Sequence, residues 1–180
     1  MVDIFRQKVL ADEFLQMAET MQPSELIDGE IIMSPPPVTL HQRVSRKTLF
    51  VLDRAVPGGE LFYAPTGVYF DEENIPEPDL VWVAENSTCQ VGEKTLIGAP
   101  DLIVEIFSPG TTRRDRDEKY TLYEKYGVRE YWMIDPTESY VEVYVLRDGQ
   151  FVRQGIYGPG QTFTSEVLGG KLIVVDEMLG

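Results

Sequence analysis

Two residue types that many hydrolytic sites draw on are nearly missing. The 180-residue chain has one cysteine, Cys89, and one histidine, His41. A single cysteine excludes an internal disulfide framework and permits a reducing compartment. Cys89 also lies in a polar stretch with no histidine beside it, and a lone histidine excludes a multi-histidine zinc site. Basic residues are scarce: 16 against 30 acidic ones, a formal charge of −14. That balance argues against a generic nucleic-acid binder, whose footprint is basic. Any contact with a phosphate backbone must then be local and metal-assisted. No apolar run approaches a membrane span, and the start lacks a basic region followed by an apolar one. A cytoplasmic protein with no membrane partner is the expectation.

What remains is a globular composition, 43% hydrophobic and 11% aromatic, of a length that fits one domain over residues 1–180. Residues 11–19 have helical spacing at Phe14, Leu15 and Ala18. Residues 25–33 read as a hairpin turned by Asp28-Gly29. Residues 39–55 read as a long helix with an apolar stripe (Val44, Thr48, Val51, Leu52, Ala55), opened by a Thr39/Gln42 capping pattern. Strands are expected over 60–70, 79–84 and 100–107, with a polar loop over 85–98. A second helix runs over 115–126, capped by Asp115 with Glu118 and stopped by Gly127. A buried strand follows at 131–134, then alternating strands and Asp148-Gly149 in a C-terminal meander or pair of hairpins. From Thr39 the order is α-β-β-β-α-β.

Chemistry concentrates in the middle of the chain. Leu102, Val104 and Ile106 take one face of their strand; Ile103, Glu105 and Phe107 take the other. Apolar residues on both faces mark a covered strand, where an ionised carboxylate needs compensation. Two readings stand: a buried salt bridge or protonated acid, and a metal ligand. Asp79 opens the preceding strand after Pro78, which is ordinary turn chemistry unless the two strands pair. If they do, Asp79, Glu105 and a main-chain carbonyl, with Ile106 the candidate, offer hard oxygens suited to Mg²⁺ or Mn²⁺. Lys119 shares a helix face with Asp115, Leu122, Tyr123 and Tyr126. It either snorkels to water or binds the scissile phosphate and orients the attacking water.

On these residues the chain resembles the PD-(D/E)XK phosphodiesterases and, more narrowly, the Uma-two family of restriction-endonuclease-like proteins. The stretches that carry the resemblance are Glu25-Leu-Ile-Asp-Gly-Glu30, His41, Pro78-Asp79, residues 99–108 around Glu105, Asp115 with Lys119 and Tyr123, and residues 127–136. The resemblance implies an α+β fold with the αβββαβ core around a central mixed sheet, an N-terminal helix and hairpin, and C-terminal hairpins. It implies Asp79 and Glu105 as metal ligands and Lys119 as the catalytic lysine. Glu30 (ahead of Glu25), His41 and Tyr123 follow as auxiliary residues. The superfamily's lysine stands two residues after its glutamate, where this chain has Phe107; Lys119 is the migrated arrangement expected of the narrower family.

The expected activity is Mg²⁺-dependent hydrolysis of DNA phosphodiesters. Arg113, Arg114 and Arg116, and a second cluster of Arg43, Arg46 and Lys47, could meet backbone phosphates or form a mixed-charge surface. A homodimer suits the cutting of two strands. Alternatives are a non-catalytic binding or assembly protein on the same fold, favoured by the acidity, and a hydrolase of small phosphodiesters.

Overall fold

Two Asp-Gly pairs set the tightest turns of the chain. Asp28 (φ 51°) with Gly29 (77°) and Asp148 (51°) with Gly149 (78°) take the positive φ angles of hairpin turns, which glycine adopts without steric cost. The computed structural model describes residues 8–17, 24–33, 36–108 and 113–180, without the side chains of 113–115. In chain order it holds α1 (Ala11–Met17), β1 (Ser24–Ile27), β2 (Glu30–Met33), α2 (Thr39–Ala55), β3 (Glu60–Tyr63), β4 (Gly67–Tyr69) and β5 (Leu80–Val83). There follow β6 (Gln90–Val91), β7 (Thr95–Ile97), β8 (Leu102–Ile106), α3 (Arg113–Tyr126), β9 (Glu130–Asp135) and β10 (Tyr140–Arg147). The chain closes with β11 (Gln150–Tyr157), β12 (Thr162–Ser165), β13 (Lys171–Val174) and α4 (Val175–Leu179).

Six strands form the central sheet in the order β11-β10-β9-β8-β5-β3. Only β8 and β9 are parallel; the other neighbours are antiparallel. A parallel pair needs a crossover, and α3 supplies it. The order α2, β3, β5, β8, α3, β9 is therefore the αβββαβ arrangement, with a mixed sheet and two C-terminal hairpins.

The alternation of β8 sorts the two faces. Leu102, Val104 and Ile106 pack with Val44, Val51 and Leu52 of α2 and with Trp132 and Ile134 of β9. Ile103 packs on the other face with Leu122 and Tyr123 of α3 and with Tyr131 and Met133. Burying such rows supplies the sheet's main driving force. Glu105 belongs by alternation to the α3 face.

Four sequence expectations are corrected. The 60–70 segment is two strands in different sheets, since β4 leaves the central sheet to pair with β7. The 85–98 stretch is not all loop; β6 and β7 pair within it. The Thr39/Gln42 cap does not form: Val38 is the N-cap of α2, with no side-chain cap bond. The second helix begins earlier, at Arg113 rather than Asp115, and the Asp115 side chain lies outside the described residues. Gly127, at φ 88°, does end α3. No helix of the described residues is long and apolar enough to cross a membrane.

Candidate active site at the end of the central sheet

Strand pairing brings the first two site residues together. β5 and β8 run antiparallel with Leu80 opposite Val104, so the next step of the ladder sets Asp79 beside Glu105. Asp79 Oδ2 accepts the Ile106 N–H at 2.7 Å. Its other oxygen, Oδ1, lies 3.0 Å from His41 Nε2 of α2. α3 lays Lys119 over the same region. Lys119 Nζ donates to Glu105 Oε1 at 3.0 Å and to Glu25 Oε1 at 2.7 Å. Tyr123, one turn on, donates its hydroxyl to Glu105 Oε1 at 2.6 Å. The Lys119 side chain is 13% exposed, so the ammonium is inside rather than snorkelling.

The electrostatics follow from crowding carboxylates around one lysine. Burial pushes the Glu105 carboxyl up; Lys119 and Tyr123 oppose this, but Asp79 and Glu25 add repulsion, and the result is a pKa raised to about 7. Burial disfavours the Lys119 ammonium, yet Glu105 and Glu25 outweigh it and hold its pKa well above the ordinary value. Tyr123 is kept a protonated donor by burial and by the charges of Glu105 and Glu25. Burial lowers the pKa of His41, but Asp79, Glu105 and the Ile106 backbone together raise it above the ordinary value. These are the three groups expected to offer oxygens to a metal ion. His41 Nδ1 is buried without a hydrogen-bond partner among the described residues.

Of the two N-terminal glutamates, Glu25 stands in the site. It is buried on β1, and it also accepts the Glu77 N–H at 3.0 Å. Glu30 is exposed on β2, opposite Ile27. The signal for Glu25 is the one that marks Glu105, a lone carboxylate within a buried apolar strand. Glu77, not among the residues expected from the sequence, is half-buried beside Glu25. Burial and Glu25 raise its pKa to about 7 against the pull of Lys119. Its signal is its place two residues before Asp79.

The expected phosphate-binding arginines divide. The side chains of Arg113 and Arg114 lie outside the described residues. Arg116 is engaged internally: it donates to Glu142 and to the Tyr140 hydroxyl, and lies over the Phe107 ring.

The donor set suits a hard divalent ion. Asp79, Glu105 and the Ile106 carbonyl are the oxygen donors at this strand end, and Asp79 Oδ1 lies 3.0 Å from the His41 imidazole. Among the described residues no group of three or more His, Cys, Asp or Glu side chains could hold a metal ion. Two carboxylates with a carbonyl are hard oxygen donors, the ligand type that Mg²⁺ takes alongside water.

The comparisons with known proteins bear on this geometry. Residues 11–174 match the model of the Uma2 family, described as "Putative restriction endonuclease". The chain belongs to the Uma2 family. Among solved structures it is similar to a "putative nuclease belonging to DUF820" from Anabaena variabilis, with 22% identity and a TM-score of 0.78. That match covers 95% of this chain and 97% of the other, and it shows the fold. No curated protein matches. The Uma2 family is a nuclease family by description, and the restriction-endonuclease-like fold of this member agrees with it.

Proposed function

We propose that this Uma2 protein is a Mg²⁺- or Mn²⁺-dependent endonuclease that hydrolyses DNA phosphodiesters, with its reaction centre at Asp79, Glu105 and Lys119. The observation that carries the proposal is the Lys119 ammonium 3.0 Å from Glu105, beside the strand end where Asp79 and Ile106 meet. Asp79 and Glu105, with the Ile106 carbonyl, would hold the ion. When bound, the ion supplies positive charge against the phosphate and activates water for attack.

The chain's own groups do the rest. Lys119 is held protonated and is aimed by two glutamates, so its charge is preorganised for the added negative charge of the transition state. Tyr123 fixes the Glu105 carboxylate by donating to Oε1. His41 holds Asp79 from the α2 side, and Asp79 and Glu105 favour its protonated form. Glu25 orients Lys119 and stands in the auxiliary place expected of Glu30.

A second reading rests on the formal charge of −14: a non-catalytic binding protein that retains the fold. Calorimetry with Mg²⁺ or Mn²⁺, on the protein and on Asp79→Ala, separates the two. The nuclease reading expects binding that the substitution abolishes, together with cleavage of duplex DNA in preference to RNA or a small diester. Absence of ion binding to the wild-type protein would overturn it.

A further inference from the structure

Glu142 is a second buried carboxylate on the α3 face of the sheet. It is 4% exposed and lies on the same transverse row as Glu105. Glu105 is opposite Met133, and Met133 is opposite Glu142. Its oxygens meet Arg116 of α3, the Tyr144 hydroxyl, and Arg153 of β11, whose Nη1 is 3.8 Å from Oε2. A buried carboxylate needs compensation. Arg116 and the Tyr144 hydroxyl already provide it, so among the described residues Arg153 brings a second positive charge to one carboxylate.

Arg153 arrives there by a backbone device. The β10–β11 ladder shifts register between Val143 and Tyr144, from Val143 opposite Gly155 to Tyr144 opposite Arg153. An unbroken ladder would set Gln154 opposite Tyr144. The bulge skips Gln154 and delivers Arg153 to the face that carries Tyr144 and Glu142. Bulges re-aim side chains in this way, often beside active sites.

The Arg116 guanidinium is held by hydrogen bonds, that of Arg153 lies at ion-pair distance from Glu142, and both reach solvent. The Arg116 side chain is 33% exposed and that of Arg153 is 55% exposed. Each fork carries about five N–H donors, and the bonds from Arg116 to Glu142 and Tyr140 take one each. Stacking over Phe107, with the guanidinium 5.5 Å from the ring centroid, further sets its plane. Arginine forks with donors not taken up among the described residues match phosphate oxygens.

We propose that Arg116, anchored on Glu142, and Arg153, at ion-pair distance from the same carboxylate, form a cradle for a backbone phosphate of the nucleic acid whose scissile bond lies at the Glu105–Lys119 centre. The identity of that ligand rests on the nuclease reading above. Glu142 is two strands from Glu105, roughly 10 Å at the spacing of a sheet. A DNA strand rises about 3.4 Å per nucleotide. Phosphates wind around the helix axis, so their separation along a strand exceeds this rise, and one strand can present a phosphate to each place about one to two nucleotides apart.

The test is salt-dependent binding of a fluorescent DNA duplex by anisotropy in EDTA, where cleavage is suppressed. It uses the full chain, Arg153→Ala, Arg153→Lys and Arg116→Ala. The cradle predicts that Arg153→Ala weakens binding about equally across sequences. It also predicts a slope of log affinity against log salt smaller by about 0.9 for each phosphate that is no longer neutralised. Between about 50 and 200 mM salt the gap to wild type then narrows about three- to fourfold. Arg153→Lys, which keeps the charge, restores the slope. Circular dichroism checks that Arg116→Ala remains folded. Wild-type affinity and slope in both alanine variants would overturn the cradle, as would a wild-type protein that binds neither duplex nor single-stranded DNA. A wild-type protein that fails to cleave with Mg²⁺ while these slope changes appear would defeat the nuclease reading and leave the cradle standing.

Discussion

Glu105 and Glu130 sit on the two parallel strands of the central sheet, both buried, and they are held in opposite ways. On the α2 face, Glu130 accepts from Trp132 Nε1 at 2.7 Å and from the Glu166 and Val167 amides at 2.9 and 3.1 Å. Main-chain amides and an indole cannot change charge, so that carboxylate is a fixed pin holding the β12–β13 hairpin to the sheet. On the α3 face, the Lys119 and Tyr123 contacts to Glu105 both fall on one oxygen. Its neighbours are side chains, two of them carboxylates. Such a group can exchange partners when a cation or a phosphate arrives. Burial of a carboxylate marks neither role; the kind of donor that compensates it does.

This contrast can be broken first at Lys119. Lys119→Met removes the cation shared by Glu25 and Glu105. Loss of one partner of a buried pair costs about 3–5 kcal/mol, and a preorganised charge is worth about 100- to 1000-fold in rate. Urea unfolding and DNA cleavage should both fall by these amounts. A stable, fully active variant would show that Glu105 is compensated otherwise.

The pH dependence sharpens the contrast next. Glu105 has a folded pKa of about 7 against an ordinary 4.5. Between those values the native protein keeps a proton that the unfolded chain has released, so stability falls as pH rises from about 4.5 to 7. At 1.36 kcal/mol per pKa unit, Glu105 contributes about 3 kcal/mol of this fall. Glu77, also raised to about 7, acts in the same direction. Urea titrations at pH 5 and pH 7.5 in EDTA should show the loss, and Glu105→Gln should remove about half of what the two glutamates contribute. A stability that rises with pH would contradict the assignment.

The smallest effect belongs to the pin. Glu130→Gln turns an amide N–H₂ toward groups that are themselves donors, for about 1–3 kcal/mol. It should lower the melting temperature and leave cleavage per folded molecule unchanged.

These differences explain how much could be read from the residues alone. The αβββαβ order was legible because α2 and α3 have clear helical spacing and β8 is apolar on both faces. Glu105 was legible as the lone charge in that strand, and Lys119 through its phase with Leu122 and Tyr123. Glu25 carries the same signal as Glu105, but Glu30, beside the Asp28-Gly29 turn, competes with it for the same role. Glu142 was not legible: Val141, Val143 and Val145 alternate, a pattern that assigns the intervening positions to a solvated face. The sheet is covered there by α3 and Arg116, which no local pattern reports. Arg153 depends on a bulge, a register property of two strands. Glu130 and Glu105 look alike in sequence, because their compensating donors lie far along the chain.

The most direct measurement compares Mg²⁺-dependent cleavage of duplex DNA by wild type, Glu105→Gln and Glu130→Gln at equal folded concentration. The account predicts cleavage by wild type and by Glu130→Gln, and a loss of at least about 100-fold in Glu105→Gln. Cleavage that survives Glu105→Gln, or that is lost equally in both variants, would contradict it.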